Sequence, residues 1–328
     1  MIPPREEEGM ALVTVLLLVL VISIVAIGVL DDIRFGLRRT ANAQSVGQGQ
    51  WYALGAESLA KLRLQSVLTQ RPGRVTLAGG WDQPRTFPIE NGVIVARLSD
   101  QGACFNLNSV VVGPPDAAIA SAAGIAQFAA LLQVLGTPSG QAQRLSAALA
   151  DWIDADGDTG QLGAEDEAYA RRDPPYRTSD ALLSEVSELR AVSGFTPEVY
   201  ASLHPYVCAL PRTGPSQINV NTLSLQGAPV LSAIYRGALP LDAAQRVTAA
   251  RPAAGWADEG AFFNQPALVL AAQRGVAPPL QQISMTSRYF ALDTQVDYGD
   301  ARVVMNALLE QDNSGAIRTV ARRWTPDE

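Results

Sequence analysis

The chain has 328 residues, 48% of them hydrophobic and 17% charged, with a net charge of −7. That length accommodates two or three domains, and the acidic balance offers no electrostatic footprint for nucleic-acid phosphates. Two cysteines and one histidine cannot assemble a Cys/His zinc cluster. His204, beside Pro205 in a loop-like stretch, is read as a structural histidine, so no enzymatic activity is expected.

Residues 9–30 read GMALVTVLLLVLVISIVAIGVL, an uncharged and mostly apolar run. As a helix it spans roughly 32 Å, about the thickness of a bilayer's hydrocarbon core. A membrane-embedded N-terminal helix is therefore expected. No A-x-A-like site follows the run, so it is not an ordinary secretory signal. A cut, if one is made, falls between Gly9 and Met10 and leaves the apolar segment on the mature protein; the alternative is an uncleaved single-pass anchor. Arg34, Arg38 and Arg39 follow the span, whereas the leader holds one Arg and three Glu, which is not the usual positive-inside pattern for an N-inside helix.

The helical pattern continues past the membrane edge. Residues 31–68 contain no proline, and Ile33, Leu37, Ala41, Trp51, Leu54, Leu59, Leu62 and Val67 recur at mixed helical steps. One helix of roughly 90 Å is predicted from about Met10 to Leu68, ended by Arg71-Pro72-Gly73. Strands are predicted at Val75–Leu77, Thr86–Ile89 and Val93–Leu98, the last two joined by an Asn91-Gly92 hairpin turn. Pro114–Ile153 reads as helical with a break at residues 136–140. Further helices are expected at Asp180–Leu189, Pro197–Leu203, Pro229–Arg236, Leu241–Arg251 and Ala261–Ala272. Strand character returns at Tyr289–Val296, Ala301–Glu310 and Ala316–Trp324, separated by turn-forming residues 297–300 and 312–315.

These elements predict an α+β fold: a long N-terminal helix packed on an antiparallel sheet, with a large all-α domain inserted between the strands. The expected organisation is a leader at 1–9, a transmembrane helix at 10–30 and its soluble extension at 31–70. The sheet is drawn from 71–103 and 284–328, and the inserted domain from 104–283. An internal repeat divides the insert into two related helical units. FNLNSV from Phe105 echoes INVNTL from Ile218, and AQRLSAALADWID from Ala142 echoes AQRVTAARPAAGWAD from Ala244. The second copy has the look of a helix-hairpin-helix unit of DNA-uptake proteins. It lacks a Gly-x-Gly hairpin to present amides to phosphate, so DNA binding is the lesser alternative and a reused packing module the preferred reading.

Between the repeats lies an acidic, glycine-rich loop. Asp154, Asp156, Asp158 and Glu165 occupy positions 1, 3, 5 and 12 of an EF-hand-type loop, followed by Asp166. Hard oxygen ligands at this spacing suit Ca²⁺, although Thr159 stands where such loops carry glycine. The simpler alternative is a solvated acidic turn ending a helix. Cys104 and Cys208 are either free buried thiols or, in an exported domain, a disulfide; we read the disulfide.

Taken as a set, several segments resemble the minor pseudopilins of the K type from type II secretion systems. They are the Gly9-Met10 junction, RRTAN from Arg38, WYALGAE from Trp51, FNLN from Phe105, DWIDAD from Asp151, GAED from Gly163, PPY from Pro174, SELR from Ser187 and INVNT from Ile218. The resemblance covers almost the whole chain. It implies cleavage by a prepilin peptidase followed by methylation, and a pilin-like fold carrying the inserted helical domain. It also implies bound calcium and a place at the pseudopilus tip, initiating or capping assembly and aiding export of folded proteins. The implied partners are the I- and J-type minor pseudopilins, the major pseudopilin, secreted substrates and the outer-membrane secretin. The implied location is the bacterial inner membrane, with the bulk of the chain in the periplasm. Most pseudopilins carry Glu as the fifth residue counted from the cleavage point; here that position is Thr14, a departure found in the K type. A tip subunit has no neighbour above it to pair a buried carboxylate, and Thr14 can bond its own helix backbone instead.

Overall fold

A computed structural model describes residues 6–325. Helix α1 runs without interruption over Glu6–Gln70, straight through Gly9 and Met10. Its apolar portion is long and hydrophobic enough to cross a membrane. Residues 10–43 are exposed throughout; farther on the helix meets the sheet. Ala53, Ala56, Ala60 and Leu64 recur every three or four positions and are all buried, so they form one stripe. Contact is close: a Cβ on Gly49 would fall 2.8 Å from Val303 Cγ2.

Five antiparallel strands form that sheet: β1 (Arg85–Ile89), β2 (Gly92–Asp100), β3 (Tyr289–Tyr298), β4 (Ala301–Gln311) and β5 (Ile317–Arg323), side by side in that order. The β1–β2 turn places Asn91 at φ 59°, the left-handed region that Asn tolerates better than most residues. Strands β2 and β3 pair in register from Gly92↔Tyr298 to Asp100↔Phe290, although residues 101–288 intervene between them. The insert thus leaves an otherwise continuous meander. Alternation along β4 sends Val303, Met305, Ala307 and Leu309 into the core beneath α1, where Trp81 packs edge-on to Phe290.

The helical insert has a separate core built around Phe105, Phe128, Leu131, Leu149, Ile153 and Tyr169. Its first unit holds α2 (Ala122–Val134), α3 (Ser139–Ile153), α4 (Asp166–Tyr169) and α5 (Pro197–Leu203). The second holds α6 (Ala228–Ile234), α7 (Leu241–Ala249), α8 (Glu259–Phe263) and α9 (Pro266–Gln273). Each unit opens on its Asn-rich turn and closes on a short parallel pairing. Phe105–Asn106 pairs with Val207–Cys208, and Ile218–Asn219 with Ile283–Ser284. The side chains repeat as well. Asn108 Oδ1 accepts from Leu183 N–H and its Nδ2 donates to Leu183 C=O; Asn221 clasps Trp256 through the same two groups.

Four local expectations differ from the structure. Val75–Leu77 forms no strand, because Val75 N–H donates to Met285 C=O and Thr76 C=O accepts from the Trp81 indole. Residues 114–121 precede α2 as a short 3₁₀ turn and extended chain, since Pro114 and Pro115 oppose an α-helical start. Residues 180–189 are helical only as a 3₁₀ turn over Val186–Arg190; Asp180 has φ 47° and the Asn108 clasp occupies the Leu183 backbone. The helix expected over Ala261–Ala272 is split into α8 and α9, with Pro266 opening the second.

Candidate functional site

The acidic loop is positioned by the end of α3. Asp154 caps that helix with its N–H donating to Ala150 C=O, and Ala155 N–H is pinned to Ala118 C=O. Asp151, one turn earlier, is buried and accepts from Gly160 N–H at 3.1 Å. The loop wraps it so closely that a Cβ on Gly163 would fall 2.0 Å from Asp151 Oδ2. Gly160 and Gly163 therefore serve a backbone folded around the Asp151 carboxylate.

Two of the five candidate ligands are buried together in charge terms: Asp154 is 3% and Glu165 4% exposed, and Asp154 Oδ1 and Glu165 Oε1 are buried with no hydrogen-bond partner. Burial pushes the Asp154 carboxyl up to about 7, and the charges of Asp156, Asp151, Glu165 and Asp180 push the same way. Burial, together with Asp151 and Asp180, also raises Glu165 to about 7 against the pull of hydrogen bonds from the Asp166 backbone and Thr178. Asp156 and Asp158 are exposed, with Asp156 Oδ1 accepting from Asp158 N–H. Asp166 is engaged elsewhere, accepting from Thr178 N–H and Oγ1 at 3.0 and 2.9 Å. Among the described residues, no three acidic, His or Cys side chains close on one point at metal-binding range. The orphaned, mutually repelling oxygens of Asp154 and Glu165 nevertheless fit a hard cation, which would supply the partner both lack.

Two groups fix the start of the insert. Cys104 and Cys208 are disulfide-bonded, with Cα atoms 5.8 Å apart. Asp100, at the end of β2, accepts from Ser287 Oγ, Thr222 Oγ1, Gly102 N–H and Asn219 Nδ2. It thereby ties the outgoing strand, the second unit and the returning chain into one node. Burial raises its carboxyl above the ordinary range despite those bonds.

Along α1, Thr14 Oγ1 donates to Ala11 C=O at 2.8 Å, so its hydroxyl is satisfied within the helix. Opposite the buried stripe, Trp51, Leu59 and Leu62 are 72%, 63% and 69% exposed. His204 packs its ring against Tyr200 at 5.4 Å.

The two units coincide with two family models, both described as type II secretion system protein K. One matches residues 103–212 and the other residues 218–282. A type II secretion system protein K from Pectobacterium carotovorum is 36% identical over 97% of both chains. This chain belongs to the type II secretion system protein K family. A relative of the same description from Klebsiella pneumoniae is 36% identical over 99% of each chain. The crystal structure of the GspK–GspI–GspJ complex from enterotoxigenic Escherichia coli contains a chain that is 31% identical. It superposes with a TM-score of 0.75, covering 88% of this chain and 99% of that one. In the protein K family, then, the pilin-like scaffold of α1 and sheet carries a helical insert of two related units.

Sequence reasoning gave no role to Asp100, which carries no motif, or to Asp151, which it met only as the first residue of the DWIDAD stretch. It also missed Glu57, a buried acid on α1 that accepts from Arg322 Nε at 2.7 Å, Lys61 Nζ at 2.9 Å and Thr319 Oγ1 at 2.5 Å. Lys61 lies one turn along α1, but Thr319 and Arg322 lie on β5, more than 260 residues away, so no local pattern announces them.

Proposed function

We propose that this chain is the tip subunit of a type II secretion pseudopilus, anchored in the bacterial inner membrane by α1 with the rest of the chain in the periplasm. The observation that carries this reading is the insert between β2 and β3. It adds residues 101–288 to a scaffold that would otherwise be a small five-stranded meander. Stacking that bulk at every helical step would clash, whereas a single copy at the end has room. Thr14 agrees, since it removes the carboxylate that a subunit above would have to neutralise. The exposed Trp51–Leu59–Leu62 face is the surface offered to neighbouring minor pseudopilins, in keeping with a protein K relative solved with GspI and GspJ. Prepilin peptidase cleavage after Gly9 belongs to the same reading, as do contacts with the major pseudopilin, secreted substrates and the secretin. Immunogold labelling of assembled pseudopili tests the placement: label at one end is expected, and label spread along the shaft would overturn it.

The same reading includes a Ca²⁺ ion held by Asp154 and Glu165, with Asp156, Asp158 and Asp166 as further acidic residues of the loop. The cation supplies positive charge that neutralises the buried pair and fixes the loop between α3 and α4. Trp152, one position before Ile153 at the end of α3 and edge-on to Tyr169 at 5.1 Å, is a built-in reporter. Calcium is expected to raise the thermal midpoint of the full chain, because a ligand bound only by the folded state must stabilise it. The Asp154→Asn variant should lose that response, and a midpoint indifferent to chelator in the wild type would refute the site.

A further inference from the structure

Between α2 of the first helical unit and the ends of α6 and α9 of the second lies a groove of about 760 Å³. Its floor includes Gln127 and Gln282, whose buried amides are mutually paired. Gln127 Nε2 donates to Gln282 Oε1 at 2.7 Å and to Ile234 C=O; Gln282 Nε2 donates to Gln127 Oε1 at 3.1 Å and to Ser216 C=O. All four amide N–H groups are thus spent, and the floor is rigid but offers no donor. Free donors come from the wall and rim. Tyr235 is 6% exposed, and its hydroxyl makes no hydrogen bond among the described residues. Arg236 and Arg274 line the same groove, are exposed, and form no ion pair among the described residues. Unpaired guanidinium groups sharing one groove are notable on a chain with a net charge of −7.

The backbone adds a second observation. Arg236 has φ 53°, in the left-handed region where a side chain is costly, and Gly237 beside it has φ 73°. Glycine would suit both positions of this helix end, yet one carries a guanidinium. Backbone strain retained at a site of this kind commonly serves binding. Val276, Pro278 and Pro279 line the same groove, so an apolar shoulder accompanies the two arginines.

We propose that this groove binds an extended segment of a partner protein carrying carboxylate side chains beside apolar ones, with Arg236, Arg274 and Tyr235 as the groups that bind the carboxylates. Arginine and phenol donors match carboxylate oxygens, and the apolar shoulder gives such a segment surface to cover that a lone small anion would leave bare. None of the residues lining the groove belongs to α1, so the assignment stands apart from the tip placement.

The test uses the full chain in detergent and a fluorescein-labelled peptide alternating Glu and Leu, read by anisotropy. An otherwise identical peptide of Gln and Leu serves as the neutral control. The acidic peptide should bind more tightly than the neutral one. The variant Arg236→Gly should weaken it about tenfold or more while keeping or raising the thermal midpoint, since glycine relieves the strained φ. Arg274→Ala and Tyr235→Phe should each weaken binding, and Arg63→Ala on α1, a charge control, should not. Equal affinity for the two peptides, full binding by Arg236→Gly, or an equal loss in Arg63→Ala would overturn the proposal. Displacement of the peptide by inorganic phosphate but not by glutarate would overturn the carboxylate assignment.

Discussion

Glu57 holds α1 to the last strand of the sheet through a charge that its apolar neighbours would otherwise expel. Burial raises its carboxyl, but hydrogen bonds from Arg322, Thr319 and Lys61 outweigh that and bring it down to about 2 from 4.5. A carboxyl depressed in the folded state contributes stability that is complete above the unfolded value and lost as pH falls toward the folded one. Denaturant unfolding should therefore show wild-type stability falling between about pH 4.5 and pH 2 through this group. Glu57→Gln should cost about 2 kcal/mol near neutrality, discounted because Arg322 and Lys61 are partly exposed, and should flatten the acid limb. Parallel pH curves for the two proteins would refute the assignment. Residues of this kind are the least legible in a sequence. Glu57 is an ordinary helical Glu until the chain folds back more than 260 residues later. The paired cysteines were legible because only two exist.

At the scale of elements, periodicity located the main sheet and most helices, because amphipathic faces must alternate at 2.0 or 3.6 residues to bury one side. It failed where side chains replaced backbone pairing. The stretch before Val186 has helix-forming residues, yet its backbone is committed to Asn108; the stretch at Val75 has β-branched character, yet its partners are Met285 and Trp81. The carboxylate- and glycine-rich loop after α3 was legible in the sequence, but the burial of Asp151 inside it was not, since that depends on glycines approaching a carboxylate from nine and twelve positions away. The repeated Asn clasp makes a prediction at this scale. Asn221 Oδ1 accepts from Trp256 N–H and its Nδ2 donates to Trp256 C=O at 3.2 Å, all within a buried region. Asn221→Ala leaves both backbone groups unpaired and should destabilise the second unit by about 2–3 kcal/mol, with a red-shifted Trp emission as residues near Trp256 loosen. Asn221→Asp, which keeps the acceptor and loses the donor, should fall between. Unchanged stability in the alanine variant would show that the clasp is not a structural pin.

The described residues form two large cores and a small cluster of Cys208, Leu210 and Tyr289, and the division was legible because strand character stops before the helical stretch and resumes after it. The sheet core is closed by α1 and by a β2–β3 ladder that pairs in register across the insert. The helical core shares none of its buried apolar residues with it. The disulfide joins residues 104 positions apart and closes the first helical unit into a loop. Such a crosslink acts mainly by limiting the unfolded chain, which for a loop of this length is worth about 4–5 kcal/mol in the entropy model. Its loss should be felt by the unit it encloses and little by the sheet, whose ladder and stripe do not depend on it. Calorimetry of the Cys104→Ser, Cys208→Ser double variant should accordingly show the helical transition lowered by about 10 °C while the sheet transition stays near its wild-type midpoint. Asp100 sets the limit on that independence, since its four hydrogen bonds span the end of β2, the second unit and the returning chain. Adding Asp100→Ala should separate the two transitions further by releasing that node. If instead the double variant melts in one transition that moves as a whole, the two cores are a single cooperative unit and the node at Asp100 is strong enough to couple them.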